Sequence, residues 1–240
     1  PISLYDIQRV LELTQGIALP PDRDILHTIP QEFIVDTLEK IDNPIGLTGK
    51  RLEGHVHLVT ASTTAMKNLI ESAEELGINI NGLVFKPLAS AMPALTKDEI
   101  KLGVSIIDIG STTTSIAVYN EGSIRHSAVI PIGSSSITND IAVMLRISIE
   151  KAEEIKIKYA SAKSSLSSEK LEFEVPLNEE NQMISENELS QYVEARMEEI
   201  FQLAHNEIKR AGIDSNLTYG VVLTGGGAQL RNIIPLANEL

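Results

Sequence analysis

Two apolar runs in this chain each stop at a glycine-bearing turn. GVSII passes into DIGSTTT at residues 108–114, and far downstream GVVL passes into TGGGAQ at residues 224–229. Both runs have the length and aliphatic content of a buried strand. Glycine lets backbone amides come close to a phosphate, neighbouring hydroxyls add donors, and an Asp at a strand end can hold Mg²⁺ through water. Two such turns imply one crevice. Either turn alone would carry little, because Gly-Ser-Thr turns commonly join strands for purely structural reasons.

The rest of the chain supplies an α/β frame for that crevice. Ser3 caps a helix whose apolar positions are Leu4, Ile7, Val10 and Leu11, with Asp6 three residues after the cap. Two β-rich runs, ILHTIPQEFIVD and RLEGHVHLVTA, flank the turn-forming IDNPIGLTGK, and STTAMKNLIESAEELG reads as a capped helix closed by Gly77. LVFKPLA reads as a further strand. After GVSIIDIG, a hairpin turns at Asn120-Glu121-Gly122, and SSSITNDIAVML and IEKAEEIKIKYA read as helices. Residues 161–185 are Ser-rich and polar apart from LEFEV, and read as a surface excursion. Ser185 with Glu188 opens the longest helix, with Leu189, Val193, Met197, Ile200, Ala204 and Ile208 on one face and Gly212 at its end. Strand YGVVLTGGG and a final helix, AQLRNIIPLANEL, complete the chain.

Charge and composition remove several function classes. With 20 Lys and Arg against 33 Asp and Glu, the net charge is −13, so nucleic acid and anionic lipid headgroups are poor partners for the chain by itself. The absence of Cys excludes disulfides, cysteine catalysis and thiolate metal sites, and suits a reducing compartment. No apolar stretch is long enough to span a bilayer as a helix, and a chain that starts at Pro1 and stops at Leu240 in a helical pattern reads as part of a longer protein. His55 and His57 alternate on one strand and share a face, but no third ligand is spaced to join them, which favours a structural role.

A third element lies between the two glycine turns. In AEEIK, residues 152–156, Glu153 and Lys156 are three apart on a helix and share a face. One could accept a hydrogen bond from a ribose hydroxyl while the other lies along an adenine ring. Taken alone, the pair would equally be an exposed ion pair of about 0.3–0.5 kcal/mol.

Strand, Asp-Ile-Gly, hydroxyl row, hairpin, AE..K and a late TGGG together resemble the actin, sugar kinase and Hsp70 superfamily, and within it the FtsA family of bacterial cell-division proteins. The resemblance covers essentially the whole chain. It is carried by HTIPQEFIVD, NPIGLTGKRLEGHVHLVT, LASAMPALTKDE, LGVSIIDIG, IRHSAVIPIG, ITNDIA, AEEIK and VVLTGGGAQL, in the family's order. It implies an α/β actin-like (ribonuclease H-like) nucleotide-binding fold with an FtsA-type inserted subdomain. Residues 1–80 would be that subdomain, 1C, and 81–102 a remnant of subdomain 1A. Residues 103–160 and 211–240 would form subdomain 2A, with 2B at 161–210.

The function implied is an ATP-binding scaffold that polymerises and links filaments of FtsZ to the inner face of the cell membrane at the division site. The membrane helix and the first phosphate loop of the family would lie outside this chain. Asp108, Gly110, Ser111, Thr112 and Thr113 match the second phosphate loop, with Asp108 near Mg²⁺, and Gly133 begins the turn before ITND. Glu153 and Lys156 match the adenosine-contacting helix, and Gly225, Gly226 and Gly227 the adenosine loop. Arg196 and Glu199 fall where the family contacts the FtsZ C-terminal tail, beside the apolar stripe of the long helix and free for a partner. Subdomain 1C would serve self-association and later division proteins.

Several positions depart from the family pattern. Ser111, Thr112 and Ser134 stand where glycines are usual, and a Cβ there crowds the approach to phosphate, which implies weaker or altered binding. Lys86 precedes Pro87 where actin relatives with clear ATPase activity often carry a Glu, so hydrolysis would be slow at most. Two alternatives follow: an actin-fold ATPase or kinase acting on a small molecule or client, and a divergent scaffold that no longer binds nucleotide.

Overall fold

The computed structural model describes residues 1–177, 180–213 and 217–239. The chain folds as two compact units, one of Pro1–Gly103 with Tyr119–His126, the other of Val104–Val118 with Ser127–Leu240.

In the first unit, α1 (Leu4–Thr14) starts where Ser3 donates its backbone N–H and its hydroxyl to Asp6 Oδ2 at 2.8 and 2.7 Å. Strands β1 (Arg23–Val35), β2 (Leu38–Ile41) and β3 (Leu52–Ser62) form an antiparallel sheet in the order β2-β1-β3. Short β2 lies between the first β-rich run and the turn-forming IDNPIGLTGK, sharing only Ile41 with the latter, and no sequence signal marks it. The chain reverses into it at Asp36, whose φ is 55° and whose Oδ1 accepts the amides of Lys50 and Arg51, each at 2.9 Å. Helix α2 (Thr63–Glu74) is capped by the Ser62 hydroxyl, which accepts the Ala65 amide at 3.3 Å.

LVFKPLA is not a strand. Lys86–Ala94 is a helix, α3, in which Pro87 sits in the first turn, where its fixed φ suits a helix and its missing N–H costs nothing. The Leu88 and Ala89 amides both donate to the Phe85 carbonyl, and Lys86 is the first residue of this helix. Helix α4 (Lys97–Leu102) follows behind a Thr96–Glu99 capping box. His55 Nδ1 lies 3.2 Å from Glu32, and among the described residues no group of three or more His, Cys, Asp or Glu is placed to hold a metal.

The second unit carries the crevice. Strand β4 (Val104–Ile109) is buried along its whole length. Strands β5 (Thr114–Asn120) and β6 (Ser123–Ile130), whose Tyr119–His126 tip belongs to the first unit, form the expected hairpin, with Glu121 and Gly122 both at positive φ, 52° and 81°. Helices α5 (Ser134–Leu145) and α6 (Ile149–Tyr159) come next. Residues 161–185 are less of a surface excursion than their composition suggests. β7 (Glu172–Leu177) pairs antiparallel with β8 (Glu180–Ser185), and Phe173, Val175 and Ile184 are buried. Ser161 is buried too, its hydroxyl donating to Lys163 O at 2.8 Å and its amide to Ser190 Oγ at 3.2 Å.

Helix α7 (Glu186–Arg210) buries the entire stripe from Leu189 to Ile208 predicted for it, with Ser185 Oγ capping the Glu188 amide at 3.1 Å. β9 (Val221–Thr224) then joins a four-stranded sheet in the order β6-β5-β4-β9. The single final helix expected from AQLRNIIPLANEL is broken. A 3₁₀ turn at Gly226–Gln229 is separated from the short α8 (Ile233–Ala237) by Asn232 at φ 59°. The left-handed residue lets the chain turn before Pro235 is reached.

Candidate functional site

Parallel pairing of β4 with β9 sets the register Asp108↔Thr224, so both glycine turns leave the sheet side by side. The closeness explains the glycines. At Gly225, φ is 88°, and a Cβ would sit 2.5 Å from both Asp108 Oδ1 and the Ile109 carbonyl. At Gly133 the backbone is extended, but a Cβ would fall 2.5 and 2.7 Å from the Ser111 and Gly110 carbonyls. Gly227 packs against the Ile109 side chain, while Gly226 has open space around it. Asp108 is buried at the end of β4; Ser111 and Thr112 are exposed.

The loop from Gly110 to Thr113 is braced. The Gly110 amide donates to the Thr113 carbonyl at 2.9 Å, the Ser134 amide to Gly110 O at 2.9 Å, and the Ser135 amide and hydroxyl to Ser111 O, both at 2.8 Å. The first two amides of α5 are therefore spent on the loop rather than left open to an anion.

A cavity of about 380 Å³ opens beside these turns, lined by Ser134, Glu153, Lys156, Gly226, Gly227 and Arg231 among others. Lys156 is buried, and its ammonium donates to Thr138 Oγ1 and Glu153 Oε2, each at 2.7 Å, and to the Ser134 carbonyl at 3.2 Å. All three of its donors are used within the protein. It therefore locks α6 onto α5, and what it offers the cavity is its methylene stem. Burial pushes the Glu153 carboxyl up, but hydrogen bonds from Lys156 and Thr138 outweigh that and hold it below the ordinary range. Thr138 lies in the ITND stretch, one helical turn after Ser134; the sequence shows the stretch but not this role. Arg231 ties the second turn down, donating to the Ala160 carbonyl at 3.3 Å and to Glu186 at the start of α7.

Arg196 and Glu199 lie elsewhere in this unit. They line a groove of about 420 Å³ whose walls are α5, with Asp140, Val143 and Met144, and α7, with Tyr192. Arg196 is not free, as its place beside the stripe suggests. Its Nε and Nη2 grip Asp140 Oδ2 and Oδ1 at 2.6 and 2.9 Å, a two-pronged pair, while Nη1 donates to Glu199. No spacing rule reveals Asp140, because it comes from another helix.

The chain matches the family described as "Cell division protein FtsA" over residues 105–240, and "SHS2 domain inserted in FTSA" over residues 1–60. It is 40% identical over 241 residues to cell division protein FtsA of Pseudomonas aeruginosa, covering 100% of this chain and 58% of that protein. Identity is 38% over 241 residues to the protein of the same name from Bacillus subtilis, covering 100% and 54%, and 34% over 248 residues to that of Escherichia coli K12, covering 100% and 59%. The chain thus spans somewhat over half the length of these relatives. Among solved structures, MreB5 of Spiroplasma citri bound to ADP gives a TM-score of 0.61 at 22% identity, over 75% of this chain and 59% of that one. A PilM–PilN type IV pilus biogenesis complex gives 0.66 at 17%, over 100% and 60%. These likenesses show an actin-like fold, and with the family match they make the chain a member of the FtsA family of cell-division proteins.

Proposed function

We propose that this chain is the nucleotide-binding and partner-recruiting part of an actin-like cell-division scaffold. In this reading the protein binds Mg-ATP, assembles with copies of itself, and links FtsZ filaments to the inner face of the cytoplasmic membrane at the division site. The observation that carries it is the cavity of about 380 Å³, which draws together Glu153, Lys156, Gly226 and Gly227 from distant parts of the sequence, beside the aligned ends of β4 and β9. Its volume is that of small-ligand pockets.

The residues present fit ATP. The adenosine half would lie in the cavity, with the Glu153 carboxylate toward a ribose hydroxyl and the Lys156 stem against the base. The phosphates would lie toward Gly110, Ser111, Thr112, Thr113 and Gly133, and the close approach at Gly225 leaves no room for a side chain between the turns. Asp108 would hold Mg²⁺ through water, the usual arrangement when one carboxylate and the phosphates share the ion. Bound Mg²⁺ would neutralise phosphate charge. The chain's own part is to bind and orient, and ATP serves as an assembly ligand rather than a substrate.

The FtsZ tail would be received in the α5/α7 groove around Arg196 and Glu199. Residues 1–80, read as subdomain 1C, would meet neighbouring copies and later division proteins through exposed apolar side chains such as Leu4, Tyr5 and Leu13 on α1. Residues 103–160 and 211–240 would form subdomain 2A, with 2B inserted.

One observation favours a second reading, a divergent scaffold that has lost nucleotide. The α5 amides that could face a phosphate are bonded to the loop instead, and Ser111 and Thr112 add side chains there. Calorimetric titration of the full-length protein with Mg-ATP separates the two: saturable heat supports the first reading, and none at millimolar ligand supports the second. Recruitment is tested by titrating a labelled FtsZ C-terminal tail peptide, followed by fluorescence anisotropy. Saturable binding that Arg196→Glu weakens about tenfold or more is expected, since the change turns a buried-edge cation into a like charge. Equal affinity for wild type and variant would remove Arg196 from the site.

A further inference from the structure

The groove between α5 and α7 holds its one cation between two anions of its own. Asp140 takes the Nε and Nη2 edge of Arg196, and Glu199 takes Nη1. With one guanidinium and two carboxylates, this cluster carries a net negative charge and repels an acidic peptide that offers nothing else. The two carboxylates are not equivalent. Asp140 is 32% exposed and makes both prongs of the pair, whereas Glu199 is 50% exposed and holds Arg196 through a single nitrogen. Asp140 therefore orients the guanidinium and stays, while Glu199 is the one that can swing into water and give up its place.

Beside the cluster, the groove is apolar where a soluble surface seldom is. Val143 is 75% exposed and Met144 48% on one wall, facing the cavity that Tyr192 lines from α7. Methionine beside an aromatic makes an adaptable seat for an apolar side chain.

We propose that Glu199 is a selectivity gate on this groove, which admits a peptide only when an apolar side chain seated among Val143, Met144 and Tyr192 brings a neighbouring carboxylate to Arg196. Apolar burial supplies the free energy that displaces Glu199, so acidity alone does not open the site. The inference rests on the reading of the groove as the tail-binding surface and adds what that surface selects.

Two peptides test it against the chain by anisotropy at low and high salt: the FtsZ tail, and the same peptide with its apolar residues replaced by serine. Wild type is expected to bind the tail with weak salt dependence and not the serine version. Glu199→Gln is expected to bind the tail about three- to tenfold tighter, and to acquire salt-sensitive binding of the serine peptide, because the cation is no longer masked. A Glu199→Gln variant that binds the tail more weakly, or still rejects the serine peptide, overturns the gate while leaving the groove reading intact. Absence of tail binding to wild type, or tail affinity unchanged by Val143→Asp, overturns the groove reading and the gate together.

Discussion

Glu153 with Lys156 and Arg196 with Glu199 are the same pattern in sequence, an acid and a base three residues apart on a helix. Both cations reach out of their own helix to α5: Lys156 to Ser134 and Thr138, Arg196 to Asp140. There the likeness ends. The Lys156 side chain is 8% exposed and its partner Glu153 44%, so the base is buried and the acid faces the cavity. Arg196 is 29% exposed and Glu199 50%, so that pair remains at a groove rim. Identical spacing thus yields a buried structural lock in one place and a half-buried cation at a groove rim in the other. The difference lies in what packs over each pair, not in the pair.

The largest effect expected is on the lock. Lys156→Met leaves the Ser134 carbonyl and Thr138 hydroxyl without their buried donor and should cost about 2–3 kcal/mol, read by chemical denaturation of the chain. A loss no greater than that of Arg196→Met would erase the distinction between the two pairs. Arg196→Met should cost only about 1 kcal/mol, since Asp140 stays partly solvated when its partner goes. A double-mutant cycle with Asp140→Asn sharpens this: coupling well above about 1 kcal/mol would make Arg196 a structural lock as well.

The smallest effect is on acid stability. The Glu153 carboxyl is held below its ordinary value of 4.5, so it contributes stability above that value, and the contribution is lost as pH falls through the lower, folded-state pKa. Partial exposure keeps it modest. Glu153→Gln should flatten the acid limb of the stability curve below about pH 4.5 relative to wild type. A superimposable limb would mean that the Lys156 and Thr138 hydrogen bonds contribute nothing through this carboxylate.

Much of the frame was readable from local chemistry. The Ser3–Asp6 and Ser185–Glu188 caps mark the starts of α1 and α7, and the buried stripe of α7 follows helical spacing without exception. Thr96–Glu99 caps α4 with the same chemistry, a signal that was not read from the sequence. LVFKPLA misleads because its apolar residues suit strand or helix equally, and only the placement of Pro87 in a first turn decides. The Ser-rich run at 161–185 misleads because serine is small enough to be buried once its hydroxyl is bonded, as Ser161 is. Of the site, the glycine turns and the Glu153–Lys156 pair could be named from sequence; Thr138, Asp140 and Arg231 could not be assigned their roles.

Caps, periodicity and glycine turns act within a few residues, so the family, most elements and the candidate site residues were legible in the chain, whereas the helix at Lys86–Ala94, strand β2 and the break at Asn232 were not. Tertiary structure alone decided which charges are buried, which are bonded across helices, and which face a groove. Those outcomes depend on neighbours from distant parts of the chain, whose approach fixes solvent access and hence the strength of every polar contact.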